Sequence, residues 1–464
     1  MTTSELDSAT ARTPQANRGL TIGLCTAVVA IAFESISIAT AMPAAATELD
    51  GLGLYAWAFS LFMIGQLFAT VAAGRLADRI GPAKPMALGL VVFSIGLVVA
   101  GTAHSMAQLI GGRLLQGLGS GLLAIATYVV IAQVFSEKDR PRMFTYISTA
   151  WVLPSFVGPT VSAWLTHHLG WRAVFWSVLP LVAIGAIMML PKVIRVANAP
   201  AHAEGESVAK PAGLWAAGLA AIGAAAIQLA GQELRWLSIP LAVVGLALVG
   251  LSLPNLMPRG FFRFGVGLAP VIVVRGLMAG TFFGAEAFVP LMLVEQRSLS
   301  LLLAGSALTI GALGWTTGSF VQSHPSLRLR RDRIITLGAA SLLVGVGLTA
   351  LVAWLQLWVG FVGFAWVFSG LGMGLAMSST SVATMGLSAA GEQGRNAASL
   401  QFSEAFAGGL FVGIGGSIFA TLHPSGNLTL TFGAVLAAMA VVALVAFLVS
   451  LRIGPIANSS ASPS

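Results

Sequence analysis

The chain has 464 residues, 57% of them hydrophobic and 9% charged. A soluble domain carries about 25% charged residues, so composition alone excludes a water-soluble globular fold. A net charge of +8 could point to nucleic acid, but the bases lie in short loops between apolar runs, which argues against such a partner. The single cysteine, Cys25, lies inside the first apolar run and excludes an intramolecular disulfide.

Mean hydropathy is +0.90. Fourteen apolar runs account for it: 20–43, 55–74, 85–103, 107–134, 143–166, 172–191, 212–230, 237–254, 267–294, 301–322, 334–354, 358–383, 397–421 and 428–451. They are near the roughly 20 residues that a helix needs to span a bilayer, and they do not alternate as barrel strands do. The expected fold class is an all-α polytopic membrane protein. Residues 1–19 are polar, and the run after them is too long for a signal-peptide core, so no cleavable signal is expected. The runs group as six, two and six. This gives a cytoplasmic tail at 1–19, a six-helix bundle over 20–194, a polar linker with two extra spans over 195–265, a second six-helix bundle over 266–452, and a tail over 453–464 expected to be disordered. The two extra runs, joined by residues 231–235, carry no charge within the span and read as spacers or lipid-facing helices. With the N-terminus inside, Arg172, Arg235 and Arg297 fall outside and Arg113 and Arg275 within spans. The other nineteen of the 24 bases fall inside, so the positive-inside rule puts both termini in the cytoplasm.

Residues 74–84, GRLADRIGPAK, form the densest charge cluster of the first half, between the second and third runs. Five charges lie inside spans: Glu34, Arg113, Arg275, Glu286 and Glu404. A charge there is costly, so each is a candidate functional group. Glu34 heads a stripe with Ser37 and Ala41 that helical spacing can turn toward a cavity. It is a candidate proton carrier, or a structural acid bonded to backbone. Arg113 cannot shed its charge and needs an acid or carbonyls nearby, unless it snorkels to the outer interface. Glu286 precedes Pro290 as Glu34 precedes Pro43, in the first span of the second bundle. Aromatics flank it, which suits apolar or cationic compounds. Arg275 lies about three turns before Glu286, too far to touch it, and reads as structural or gating. Glu404, about two turns into its span, reads equally as a gate or a cavity carboxylate.

An internal repeat supports two bundles. Gln116-Gly117-Leu118-Gly119-Ser120-Gly121-Leu122 matches Ser369-Gly370-Leu371-Gly372-Met373-Gly374-Leu375 at an offset of 253, with Thr127 and Thr380 in register. Residues 74–78 find a degraded counterpart at 318–322. No G-x-x-x-x-G-K-[ST] occurs, so ATP is not the direct energy source. The histidines are scattered at loops, with His167 and His168 the only adjacent pair. No metal site, catalytic residue or cofactor is expected.

The 74–84 stretch resembles the loop between the second and third helices of major facilitator superfamily transporters, G-x-L-a-D-r-x-G-r-k. Gly74, Leu76, Asp78, Arg79, Gly81 and Lys84 match, and Pro82 stands where the family usually has a base. Arg113 to Gly117 is similar to the fourth-helix signature R-x-x-q-G. Glu34 to Pro43 resembles the first-helix pattern of multidrug:H⁺ antiporters, with Glu in place of Asp. Pro154, Gly158 and Pro159 are similar to the exporter signature g-x-x-x-G-P-x-x-G-G, with Ser162 and Ala163 at its last two glycines. Residues 391–399 resemble the approach to the eleventh helix of the same branch.

The resemblance covers nearly the whole chain and implies the 14-helix drug:H⁺ antiporter branch. Its implied fold is two six-helix bundles with two linker spans. Its implied activity is proton-coupled export of lipophilic, cationic small molecules by alternating access. Glu34, Glu286, Arg113 and Glu404 would serve coupling and the substrate cavity. Gly74, Asp78, Arg79, Gly81 and Lys84 would form a cytoplasmic gate in which Asp78 caps the facing helix of the other bundle. A lipid exporter or a nutrient:H⁺ symporter on the same fold are alternatives, and a non-transporting sensor or membrane enzyme a remote one. Expected partners are a small-molecule substrate, protons and the lipid bilayer, with no nucleic acid. The expected state is a monomer in a bacterial cytoplasmic membrane.

Overall fold

The computed structural model describes residues 18–136, 139–196, 213–232, 236–258, 260–324, 329–389 and 392–456. The side chains of Asp78, Pro141 and Val196 fall outside that description, as do nearly all of the expected linker and the outer parts of both tails. The described residues form fourteen α-helices and no strand. The first six are α1 (Arg18–Glu48), α2 (Trp57–Ile80), α3 (Ala83–Gly101), α4 (Met106–Val134), α5 (Arg140–Leu169) and α6 (Arg172–Val196). The extra pair is α7 (Leu214–Gln232) and α8 (Ser238–Leu256). The last six are α9 (Leu268–Glu295), α10 (Leu301–Ser323), α11 (Arg331–Leu355), α12 (Gly360–Leu387), α13 (Gln393–Leu422) and α14 (Leu428–Ser450).

Thirteen of these are long and apolar enough to cross a bilayer. The fourteenth, α5, has 30 residues, but Arg140, Arg142 and a run of hydroxyl side chains dilute its first half. It nevertheless packs between α1 and α10. Several starts are capped by side chains. Ser105, Ser300 and Asn427 each accept from the backbone N–H three residues on, opening α4, α10 and α14. Helix α2 ends at Gly81, whose φ of 77° suits only glycine. Its N–H donates to Ala77 O at 3.0 Å, and Pro82 turns the chain into α3. The helix therefore outruns its apolar stretch, and Asp78 lies in its last turn rather than beyond it.

The two halves are packed alike. In the first, α4 lies on α2 and α3, α1 on α5 and α6, and α3 on α6. In the second, α12 lies on α10 and α11, α9 on α13 and α14, and α11 on α14. Across the middle, α2 meets α13, α5 meets α10 and α1 meets α9. Exchanging the halves maps the first two of these contacts onto each other, as a pseudo-two-fold axis requires.

The glycine repeat is where this duplication is anchored. A Cβ on Gly117 would overlap the Phe62 carbonyl oxygen, and one on Gly370 the Gly311 carbonyl oxygen. Gly65 faces Leu114 and Leu118, while Gly314 faces Val367 and Leu371. Gly89 faces Gly119 as Gly338 faces Gly372, and Gly96 faces Gln116 as Gly345 faces Ser369. The α4 residues recur in α12 at the 253 spacing, and their partners on α2 and α3 recur at 249. Small residues there let the helix backbones touch, which substitutes for a hydrophobic driving force in lipid. This spacing corrects the proposed match of residues 74–78 to 318–322. Gly318 packs against Leu371 and Gly374, just as Ala69 packs against Gly121, whereas nothing lies within 4 Å of a Cβ on Gly74. The counterpart of Gly318 is Ala69.

The extra pair divides its roles. Ile239 and Leu246 of α8 are 74% and 62% exposed, as a lipid-facing helix should be. Helix α7 instead lies on both α2 and α13, across the line where the bundles meet. Its Gln232 Oε1 accepts from Trp57 Nε1 at 2.5 Å, and its Gln228 carbonyl accepts from Ser417 Oγ at 3.3 Å. Its Ala- and Gly-rich surface permits that approach.

Most of the described bases near helix ends gather at the face where α1 begins and α14 ends, from Arg18 and Arg75 to Arg395 and Arg452, while Arg172 and Arg297 lie at the opposite face. At that basic face Ile453 and Ile456 are buried, and Ile456 N–H donates to Asp332 Oδ1 at 3.0 Å. The first residues of the expected C-terminal tail are thus pinned to α11.

Candidate functional site

Contacts between the bundles cluster in the half of the molecule away from the basic face. Gly416 of α13 abuts Ala56, Gly409 faces Ile64, and Gly305 of α10 sits against Thr40 and Pro159. Nearer the basic face, Tyr128 of α4 is 46% exposed yet within electrostatic reach of Glu404 on α13. Gln401 is exposed too. A cleft between the bundles thus opens toward the basic face.

In the first bundle, Arg113 of α4 reaches Glu34 of α1. Both are almost fully buried, at 2% and 1% exposure. Arg113 Nη1 donates to Glu34 Oε1 and, at 2.5 Å, to Gln116 Oε1. Its Nε donates to Ala58 O at 2.9 Å, and its guanidinium lies 4.3 Å from the centroid of the Phe62 ring. The charge is neutralised inside the bundle rather than snorkelling outward, as a low-dielectric interior demands. The stripe Glu34–Ser37–Ala41 is buried throughout. Ser37 Oγ donates to Gly158 O at 3.3 Å, so the stripe faces α4 and α5 instead of open space.

In the second bundle the acid and the base separate. Glu286 follows Glu34 by 252 residues, on the matching helix. The residue 253 after Arg113 is Trp366, fully buried and stacked on Phe282 at 5.4 Å. Among the described residues, no cation occupies the place that Arg113 holds in the first bundle. Glu286 is half-buried, with no hydrogen bond or ion pair to any described residue. Arg275 turns to α13 instead. Its Nε and Nη2 donate to Glu404 Oε2 at 2.9 and 2.6 Å. Its Nη1 donates to Met377 O and to Thr380 Oγ1, the latter at 3.0 Å. Glu404 stays 23% exposed, at the cleft.

Aromatic side chains lie on the same helices as this ion pair. Phe402 stacks on Phe406 at 5.5 Å, and Phe282 meets Trp315 edge-on at 5.3 Å. On α5, Pro154, Gly158 and Pro159 are buried where α5 crosses α1 and α10. Ser162 Oγ donates to Ser37 O at 2.7 Å, so this departure from the exporter signature adds an interhelical hydrogen bond. At the basic face Arg79, Gly81 and Lys84 lie at the α2–α3 turn, with Gly74 nearly two turns before the end of α2. The capping role expected of Asp78 rests on a side chain outside the described residues.

Two like six-helix bundles, paired across a cleft that holds charged groups at membrane depth, define a polytopic membrane transporter. The chain belongs to the Major Facilitator Superfamily, whose family model matches residues 22–412. Among curated relatives, the Multidrug transporter protein MdtP of Bacillus subtilis (strain 168) is 31% identical over 176 residues, 38% of this chain and 32% of that protein. The Multidrug resistance protein 3 of the same organism is 27% identical over 185 residues, 40% of this chain and 36% of that protein. An Acurin A biosynthesis cluster MFS-type transporter of Aspergillus aculeatus is 28% identical over 179 residues, 39% of this chain and 32% of that protein. The match thus spans about a third of the length of these relatives. Among solved structures, a POT family transporter in complex with 5-aminolevulinic acid superposes with a TM-score of 0.68 at 13% identity, covering 94% of this chain and 96% of that one. A mutant of the nucleoside transporter NupG gives 0.65 at 11% identity, covering 94% and 99%. These structures share the fold. Fourteen helices agree with the 14-helix branch that the sequence resembles.

Sequence reasoning missed three features. Tyr55 looks like an interfacial aromatic at the edge of a span, yet it is completely buried between the bundles. Trp366 stands out only once the repeat is laid over Arg113. Gln228 and Gln232 of α7 are polar residues in an otherwise apolar run, the one signal that this helix packs inward.

Proposed function

We propose that this chain is a proton-coupled exporter of lipophilic, cationic small molecules, working by alternating access. The observation that carries the proposal is Glu286: a half-buried carboxylate within the second bundle with no described partner, while Glu34 is already held by Arg113. Such a group is free to exchange a proton or meet a cationic substrate, and to be released when the bundles move. The aromatic side chains on the helices that carry Glu286 and Glu404 favour flat apolar cations. Two relatives with multidrug names favour drug-like cargo. Arg275–Glu404 and the 74–84 turn serve gating, at the basic face, which is cytoplasmic by the positive-inside rule. Both termini then lie in the cytoplasm, and a bacterial cytoplasmic membrane is the setting.

The test is ethidium efflux from proteoliposomes with an imposed pH gradient. Wild type should export only with the gradient, and Glu286→Gln should lose at least about ten-fold of that component. Gradient-dependent efflux at the wild-type rate in Glu286→Gln would remove Glu286 from the coupling role.

A further inference from the structure

The connector between α1 and α2 is tightly built. Leu49 N–H donates to Ala45 O at 3.0 Å and Gly51 N–H to Ala46 O at 2.8 Å, while Asp50 adopts φ 49° between them. A Cβ on Gly51 would lie 2.5 Å from the Met106 side chain, so the turn is pressed onto α4. The short 3₁₀ turn Leu52–Leu54 then presents Tyr55. This residue belongs to the first bundle by sequence, but its side chain is in the second. The ring lies 5.7 Å from Phe288 and 6.5 Å from Phe419, with Phe59 of its own bundle at 5.3 Å. The hydroxyl donates to Ala287 O at 2.8 Å. Ala287 is the residue after Glu286 on α9.

We propose that Tyr55 is a gating residue: a latch that holds the face opposite the basic face closed and fastens it to the helix carrying Glu286. This rests on the alternating-access reading above and adds a residue to it. The physical reason is the environment on either side of the motion. With that face closed, the ring is dry and its hydroxyl is paired. When α2 and α13 part there, the hydroxyl loses the Ala287 carbonyl, and Phe288 and Phe419 lose their cover. The rigid turn from Ala45 to Tyr55 makes the insertion a property of the whole first bundle rather than of one mobile side chain. The acceptor is a backbone carbonyl, so it is present whatever the protonation state of Glu286. Its position on α9 still ties opening at this face to displacement of the segment that holds the carboxylate.

The experiment reads conformation directly. Leu54→Cys and Ser425→Cys, both at exposed positions of that face, are spin-labelled in a Cys25→Ser background in lipid nanodiscs, and pulsed dipolar distances are recorded. Tyr55→Phe removes one oxygen and keeps the ring. It should raise the ratio of long to short distances about five-fold, the shift expected from one neutral hydrogen bond. Tyr55→Ala should raise it further, by at least about ten-fold. Unchanged distance populations in both variants would overturn the proposal. So would a lowered thermal midpoint with unchanged distances, which would make Tyr55 a packing residue only. The distances need neither substrate nor gradient. Failure of ethidium efflux would therefore sink the transport reading without touching this result, and unchanged distances beside normal efflux would sink the latch alone.

Discussion

Removing either member of the Glu34–Arg113 pair should destabilise the protein by unequal amounts. Glu34 Oε1 accepts from Arg113, while Glu34 Oε2 is buried with no hydrogen-bond partner. Arg113 has other support: Ala58 O, Gln116 Oε1 and the Phe62 ring. In Glu34→Gln the shape and one acceptor oxygen remain. The guanidinium loses its counter-ion but keeps Ala58 O, Gln116 Oε1 and the Phe62 ring, so the loss should fall at or below the low end of the about 3–5 kcal/mol that breaking a buried pair costs. In Arg113→Gln a buried carboxylate is left stranded, and breaking a buried pair from that side costs about 3–5 kcal/mol. The double variant strands no charge, so it should be more stable than Arg113→Gln alone. The double-mutant coupling should reach about 1 kcal/mol or more. Unfolding of the four proteins in mixed micelles closes the cycle. If Arg113→Gln proves no less stable than Glu34→Gln, and the coupling lies within about 0.5 kcal/mol of zero, the pair is not a buried charge lock and the argument built on it fails.

Gly117→Ala and Gly370→Ala each drive a Cβ into a backbone carbonyl of the neighbouring helix. Both should abolish monodisperse protein on size exclusion, while Gly74→Ala, with open space around it, should unfold like wild type. Gln232→Leu removes the acceptor for Trp57 Nε1, and interhelical hydrogen bonds in bilayers are worth about 0.6–1.7 kcal/mol. It should lower unfolding stability by that amount and make a reporter cysteine on α7 more accessible to maleimide. Glu404→Gln leaves Arg275 with Met377 O, Thr380 and Ser381. It should keep the protein folded but slow efflux several-fold, with wild-type efflux counting against a gating role.

Helix number and grouping were legible because a bilayer imposes a length, and fourteen runs of that length stand in the sequence. The packing of each half was partly legible too, since only glycine permits the α4 and α12 contacts and the repeat preserves it. What sequence distance hides is pairing. Arg275 and Glu404 stand 129 residues apart, and nothing in either span says they meet. The match of residues 74–78 to 318–322 fails because a glycine aligned by sequence alone need not make the same contacts. A counterpart is fixed by what the glycine touches, and Gly318 touches α12 where Gly74 touches nothing. Helix α7 was read as a spacer because hydropathy counts its alanines as apolar, without registering that small residues also permit close packing.

The duplication makes the difference between the two acids more informative than either acid alone. Corresponding helices hold Glu34 and Glu286 at nearly the same position, and each of those helices packs on the matching pair of its own bundle, α1 on α5 and α6 and α9 on α13 and α14. The shared scaffold therefore does not explain why one acid is paired and the other is not. The change that does is Arg113 in one half and Trp366 in the other. An arginine at the second position would neutralise Glu286, as Arg113 neutralises Glu34. A tryptophan there fills the space, stacks on Phe282 and leaves the carboxylate with no described partner. Trp366→Arg should then pair with Glu286 and abolish gradient-driven efflux without unfolding the protein, and retention of efflux in a folded Trp366→Arg variant would mean that the open state of Glu286 has no part in transport.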